Sequence, residues 1–458
     1  MSTELDPTAS GSPDAQLPAL SEAEKLRNAK KASAAAVAAT SLEWYDFFIY
    51  GTAAALVFPQ LFFAGQGTVM AQITAFATLA IGFVFRPIGA VVSGHLGDRI
   101  GRKYVLVAAV VLMSVATALI GLVPVTGNWV AAMLLILLRI AQGLAVGAQW
   151  GGAAVLAAEF APARKRGLYG SFAQLGVPVG VLLANIVFLV ITAWLTDDQF
   201  MSWGWRVPFL ISILMLPVGY AIHKYLDETP AFQQMQAEVA EKKSHEPVAQ
   251  KSPILEVLRK HWQTVVLAGL ANVIGTVVFY LTITGALQYV TKLNGVPRDA
   301  ALLVILVTSI VQIVVTLGAA SLSDRVGRIP VFTAGLIGMT VWAVPMWLLI
   351  ENTSATNMGP FWIAILVSGI TMSLMTGTQS VLFAELFPAE VRTSGAALGY
   401  QLAGLIGGFA PMVMVMLVGS DPANAIRVGV AVLVVGVLGM IALLILRARY
   451  GTNHMATE

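Results

Sequence analysis

Long apolar stretches separated by short polar breaks recur between residues 34 and 447. A bilayer core is crossed by about 20 consecutive apolar residues of helix. The pattern therefore predicts helices over 34–62, 70–95, 103–124, 129–158, 168–194, 206–226, 263–289, 300–322, 331–350, 360–384, 393–418 and 424–447. Residues 1–33 are polar and rich in Ser, Pro, Ala and Glu, with no apolar run beside a basic start. They read as a disordered cytoplasmic tail rather than a signal peptide. The expected organisation is that tail, a six-helix bundle (34–226), a polar cytoplasmic connector (227–262), a second six-helix bundle (263–447) and a short cytoplasmic tail (448–458). The fold class is all-α, a membrane protein of twelve transmembrane helices.

Composition narrows the possibilities. The chain is 57% hydrophobic and only 11% charged, whereas about a quarter of a soluble protein's residues carry charge, so lipid must be its main solvent. With no cysteine, disulfides and thiolate metal sites are ruled out. None of the five histidines (His95, His223, His245, His261, His454) falls in the middle of a predicted span, and no His/Asp/Glu cluster has metal-ligand spacing. No metal, no cofactor and no enzymatic activity are expected. With an even number of spans, 21 of the 27 Lys and Arg lie on one side, which the positive-inside rule makes the cytoplasmic side, so both termini are expected in the cytoplasm. These basic residues are juxtamembrane and scattered, so a nucleic-acid partner has no support, and no obligatory protein partner is evident.

Two motifs repeat at one offset. Asp98, Arg99, Gly101 and Arg102 recur as Asp324, Arg325, Gly327 and Arg328, while Glu159, Pro162, Ala163 and Arg166 recur as Glu385, Pro388, Ala389 and Arg392, all 226 residues on. A shared period near half the chain length indicates two duplicated, pseudo-symmetric six-helix bundles with a solute path between them. Acids beside helix N-termini and arginines able to pair with Glu159 or Glu385 form a candidate cytoplasmic latch. Its expected members are Asp98, Arg99, Arg102, Glu159, Asp324, Arg325, Arg328 and Glu385. Anchoring of the arginines to lipid headgroups is the competing reading, and it leaves the acids unexplained.

These residues resemble the major facilitator superfamily: GHLGDRIGRK from Gly94 looks like its signature between helices two and three, and RIAQGLAVG from Arg139 like its fourth-helix motif. Within it the chain resembles the metabolite:proton symporters, which carry shikimate, 2-oxoglutarate, citrate, and proline or betaine. The matching segments are EWYDFFIYG from Glu43, FRPIGA from Phe85, WGGA from Trp150, SWGWRVPFL from Ser202, DETPAF from Asp227 and ELFPAEVRTSG from Glu385. The resemblance implies the major facilitator fold and proton-coupled transport. Gln149 stands where many relatives have Glu, and Ala320 replaces a glycine ahead of the second motif. The short stretch after the last helix argues against an osmolyte carrier.

Ionisable groups in the hydrocarbon layer cost several kcal/mol unless paired, so each marks a candidate function. Glu43, Asp46 and Tyr50 share one face of the first helix, and Arg86 and Arg139 fall in the second and fourth. Asp46 is the expected proton carrier, assisted by Glu43, with Arg139 as its partner and as the anchor of an anionic substrate. Arg86 is expected to be an intramembrane charge partner of Glu43. The positions 226 residues after Asp46, Arg86 and Arg139 are Asn272, Gln312 and Ile365, which assigns proton handling to the first half. Selectivity would come from Tyr50, Gln149, Asn272, Thr276, Tyr280, Gln379 and Gln401, with Trp44 packing on the solute and Tyr45 at the membrane interface. Glycines at four-residue spacing (Gly143, Gly147, Gly151; Gly176, Gly180) would let helices approach and slide. The expected function is proton-coupled uptake of a small organic acid by alternating access. Uptake of a zwitterion of the proline or betaine kind, and proton antiport of an amphipathic compound, are the alternatives.

Overall fold

A computed structural model describes residues 22–100, 102–126, 129–159, 166–214, 216–217, 253–388 and 391–450, some of them by backbone alone. The helices of the first half are α1 (Glu22–Leu56), α2 (Thr68–Ile100), α3 (Arg102–Leu122), α4 (Trp129–Glu159), α5 (Arg166–Trp194) and α6, whose described part is Val207–Ile211 with short 3₁₀ turns on either side. Those of the second half are α7 (Trp262–Lys292), α8 (Arg298–Val326), α9 (Arg328–Glu351), α10 (Gly359–Glu385), α11 (Ser394–Val418) and α12 (Ala425–Tyr450). Among the described residues, nine helices are long and apolar enough to cross a membrane, with shorter apolar helices at Val107–Leu122 and Gly204–Leu214. Adding α1 gives the twelve expected.

The helix bounds agree with the motif repeat. The described part of α2 runs to Ile100 and α8 runs to Val326; the described part of α3 runs from Arg102 and α9 from Arg328; the described part of α4 runs to Glu159 and α10 to Glu385. Each pair differs by 226 residues. Gly327 explains why the motif carries a glycine: its φ of 98° lies in the left-handed region, where a side chain is strained. The leading helices of the two halves are also interrupted at matching positions. α1 ends at Leu56, just ahead of Pro59, and α7 widens into a π turn over Leu281–Gly285.

Three sequence readings need correction or limits. α1 begins at Glu22, well before residue 34. The polar run that set the earlier boundary is rich in Ala, Glu, Lys and Arg, which favour helix as strongly as they disfavour lipid. Polarity there marks where the helix leaves the bilayer and not where it stops. Of the connector, residues 227–252 lie outside the described residues, as do residues 218–226 of the expected sixth helix. The connector's end forms a helix, Pro253–Lys260, that seats Val257 against Val265, Phe387 and Val391 under the second half.

Glycines set the closest helix contacts. A Cβ on Gly143 or Gly147 of α4 would run into the α2 backbone at the Gly82 and Arg86 carbonyls, and one on Gly176 or Gly180 of α5 would meet α1 at Thr40, Ser41 and Trp44. These ridges lock α2 to α4 and α1 to α5, and so fix where Arg86, Arg139 and the acids of α1 stand.

Candidate charge cluster and aromatic seam

Glu43, Asp46, Arg86 and Arg139 are each at most 4% exposed. Burial of this kind demands compensation, yet no ion pair within 4.0 Å joins any two of them. The expected direct contacts, Asp46 with Arg139 and Glu43 with Arg86, are therefore not made. Neutral polar groups and aromatic rings take their place.

Asp46 is reached through a relay. Arg139 Nη1 donates to Gln142 Oε1 at 3.0 Å, Gln142 Nε2 donates to Thr117 Oγ1 at 2.6 Å, and Thr117 Oγ1 donates to Asp46 Oδ2 at 2.8 Å. The Met113 carbonyl also lies 2.8 Å from Thr117 Oγ1; with the hydroxyl proton given to the Asp46 carboxylate, the stronger acceptor, every bond points the same way, from the cation towards the carboxylate, so each donor polarises the next. Asp46 Oδ1 and Glu43 Oε1 are buried with no protein hydrogen-bond partner. Arg139 also donates to the Leu79 carbonyl at 3.4 Å, and its guanidinium lies 4.4 Å from the centre of the Tyr50 ring and 5.1 Å from that of Phe47. Gly82 makes the space for it: a Cβ there would stand 2.6 Å from Arg139 Nε. Tyr50 donates to Thr78 Oγ1 at 2.7 Å, which seals it inside the first bundle beside the relay. A void of about 10 Å³, bounded by Asp46, Arg86, Arg139 and Gln142 among others, opens between α1, α2, α3 and α4. It is about the size of one water molecule.

Arg86 stands at the seam between the halves. Its guanidinium lies 4.4 Å from the centre of Phe83, 5.6 Å from Phe47 and 5.8 Å from Trp44. Those rings meet the second half directly: Trp44 packs edge-on against Phe279 at 5.3 Å, and Tyr280 lies 5.1 Å from Phe47 and 5.0 Å from Phe83. Gly408 on α11 presses its backbone against the Phe83 ring, where a Cβ would collide. Tyr400 of α11 stands within electrostatic reach of Tyr280, Glu43 and Arg86.

The remaining candidates divide. Asn272 is buried on α7, and Gln379 and Gln401 are buried with Gln379 Nε2 and Gln401 Oε1 lacking a protein partner. Gln379 accepts from Gln174 Nε2 across the halves at 3.3 Å. Thr276, expected on the solute face, instead donates to the Ala403 carbonyl of α11 at 2.8 Å, so it packs helices. Tyr45, expected at the membrane interface, is 4% exposed and donates to the Pro208 carbonyl of α6. The side chain of Gln149 lies outside the described residues. Thr117, Gln142, Phe279 and Tyr400 did not stand out in the sequence. A polar pair inside α3 and α4 gives no charge signal, and aromatic residues in apolar helices look like packing.

At the motif-bearing end, Arg328 Nη1 pairs with Asp324 at 2.7 Å and Arg328 Nε lies 3.7 Å from Glu385. The other oxygen of Asp324 accepts the backbone N–H of Leu168 at 3.1 Å. That donor is in the first turn of α5, where amides have no partner within the helix, so an acid of the second half caps a helix of the first. Ser380 Oγ donates to the Gly170 carbonyl nearby, also across the halves. Arg325 is exposed and makes none of these bonds. The backbone of Asp98, Arg99, Arg102 and Glu159 is helical, like that of Asp324, Arg325, Arg328 and Glu385, but their side chains lie outside the described residues. At the opposite end the halves meet through Arg298, which lies 3.5 Å from Asp197 and stacks on Phe200.

A family model described as "Sugar (and other) transporter" matches residues 31–447. The shikimate transporter of Escherichia coli is 37% identical over 399 residues, covering 86% of this chain and 89% of that protein. The proline/betaine transporter of Salmonella typhimurium is 32% identical over 418 residues, covering 90% and 82%. Among solved structures, a D-xylose-proton symporter superposes with a TM-score of 0.68 at 21% identity, covering 93% of this chain and 97% of that one. The structure of a major facilitator superfamily proton:xylose symporter bound to 6-bromo-6-deoxy-D-glucose gives 0.69 at 20% identity, covering 93% and 96%.

Proposed function

The chain belongs to the sugar (and other) transporter family of the major facilitator superfamily, and we propose that it carries a small organic acid inward across the bacterial inner membrane together with a proton. The family is one of multi-pass membrane transporters, not enzymes. The observation that supports proton coupling is the relay from Arg139 through Gln142 and Thr117 to Asp46.

A buried carboxylate in contact with a single hydroxyl has two ways to be compensated: stronger donation from its neighbours, or a proton. With Asp46 ionised, the relay is drawn tight and Arg139 is engaged by it. Once Asp46 takes a proton, the pull on Thr117 is lost, Gln142 relaxes, and the cationic field of the cluster is left uncompensated. An arriving carboxylate then balances that field. Proton and anion thus favour each other's binding, which is the thermodynamic condition for symport. Glu43, with its own unpartnered oxygen, serves as the second proton-binding group.

Alternating access uses the seam. The bonds of Asp324, Ser380 and Gln379 across the halves hold the motif-bearing end closed, and the positive-inside rule supports reading that end, with both termini, as cytoplasmic. Opening there breaks polar bonds; opening at the other end breaks the exposed pair of Arg298 with Asp197, which costs less.

The relatives named for shikimate and for proline and betaine all concern solutes with a carboxylate, so a small carboxylate metabolite such as shikimate heads the panel to be tried. The test is uptake of radiolabelled shikimate, 2-oxoglutarate, citrate, benzoate, proline and betaine into proteoliposomes, with an inward proton gradient and with the gradient collapsed. Accumulation of one acid that needs the gradient, and that is lost in Asp46→Asn, is the expected result. Accumulation independent of the gradient, or unchanged in the variant, would remove the coupling role from Asp46.

A further inference from the structure

Arg86 differs from the other three buried charges in what surrounds it. Asp46 has Thr117, and Arg139 has Gln142 and a backbone carbonyl. Arg86 has aromatic faces, Phe83, Phe47 and Trp44, and a side-chain hydrogen bond with the hydroxyl of Tyr280. A guanidinium carries five N–H donors in a planar fork matched to a carboxylate; ring faces satisfy its charge without using that fork, and a single phenol oxygen takes up only part of it. Its rings are in turn covered by Phe279 and Tyr280 from the second half. Any ligand held here would touch both halves at once, and its binding energy would bear directly on their closure.

From this geometry we infer that Arg86, rather than Arg139, binds the solute's carboxylate, and that the rings of Trp44, Phe83, Phe279 and Tyr280 bind the flat face of a ring, so that the carrier takes cyclic monocarboxylates. The inference rests on the reading that the solute is an organic acid and names its class. An aromatic cage by itself would also suit a quaternary ammonium group. In this cage the cation position is already filled by the protein's own guanidinium, so a second positive charge is repelled while an anion is drawn in. A long flexible polycarboxylate gains little from ring faces and would leave its further charges in an apolar wall. A single carboxylate on a six-membered ring satisfies both the fork and the rings.

The test is equilibrium binding to the purified full-length carrier at one pH with no gradient, so that failure of proton coupling in vesicles and failure of this inference are separate results. Radiolabelled benzoate and shikimate are the probes, with acetate and glycine betaine as competitors. Arg86→Gln is expected to weaken ring-acid binding on the order of tenfold or more, as loss of a charge-assisted pair does, while Arg86→Lys, which keeps charge but not the fork, loses less. Betaine is expected not to displace benzoate from the unaltered protein. Should Arg86→Gln not fold, Tyr280→Leu provides the second test, with benzoate affinity falling more than acetate affinity. Binding unchanged within about twofold in Arg86→Gln, displacement by betaine, equal loss of benzoate and acetate in Tyr280→Leu, or no ring acid bound by the unaltered protein would each overturn the inference.

Discussion

Replacing Thr117 by Val removes one hydroxyl from the relay and keeps the side-chain shape. Thr117 is fully buried and gives Asp46 Oδ2 its hydrogen bond at 2.8 Å, and Asp46 Oδ1 has no protein partner. The variant therefore leaves both oxygens of the ionised carboxylate without a donor, and it deprives Gln142 Nε2 of its acceptor at 2.6 Å. A hydrogen bond to a charged group contributes about 1.5–3 kcal/mol, and each 1.4 kcal/mol is about a tenfold step. The balance between neutral and charged relay is thus expected to move by roughly ten- to a hundredfold towards the neutral form. In proteoliposomes the curve of proton-driven uptake against pH should be displaced to the alkaline side by about one to two pH units, with Thr117→Ser close to the parent. Counterflow, which needs no net proton release, should be the less affected assay. A Thr117→Val carrier whose uptake curve overlays the parent's would refute the relay as the route by which Asp46 is held.

Other outcomes follow from the same structure. Asp324→Asn takes the charge from a side chain shared by Arg328 and the Leu168 amide; a loss of about 1–2 kcal/mol from closure should speed maleimide labelling of a single cysteine placed at Ser380 by roughly five- to thirtyfold, in a chain that has no other cysteine. Gly147→Ala drives a Cβ into the α2 backbone, 2.8 Å from the Ala90 nitrogen, which no side-chain rotation relieves, and should cost about 1–3 kcal/mol in thermal-unfolding assays. Gly327→Ala, at φ 98°, should destabilise by about 1–2 kcal/mol from backbone strain, whereas Gly318→Ala, with open space around its Cβ, should be near neutral.

The scaffold was legible in the sequence because a bilayer imposes length and hydropathy on every span, and because the motif repeat fixed the two halves. The same reasoning located the four buried charges, since a charge among apolar residues stands out. It failed to say how they are compensated. Opposite charges in neighbouring helices suggest ion pairs, but pairing depends on the rotation of each helix about its axis, and here Gly82, Gly143 and Gly147 bring α2 and α4 so close that Arg139 lies flat against Leu79 and Tyr50 and stops short of Asp46. Thr117 and Gln142 bridge the gap, and single Thr or Gln residues are too common inside membrane helices to be singled out. The start of α1 was misplaced for a related reason, since hydropathy reports the membrane boundary and not the helix boundary.

The bond between Asp324 and the first turn of α5 runs from one copy of the duplicated unit to the other. A half-length ancestor with the same motif could not have closed that bond on itself, because the capped helix end belongs to the opposite bundle. It would have closed it on a second molecule. In such an ancestor the contact that now joins the two halves would be a subunit interface, and fusion would turn an encounter that depends on concentration into one fixed by a tether.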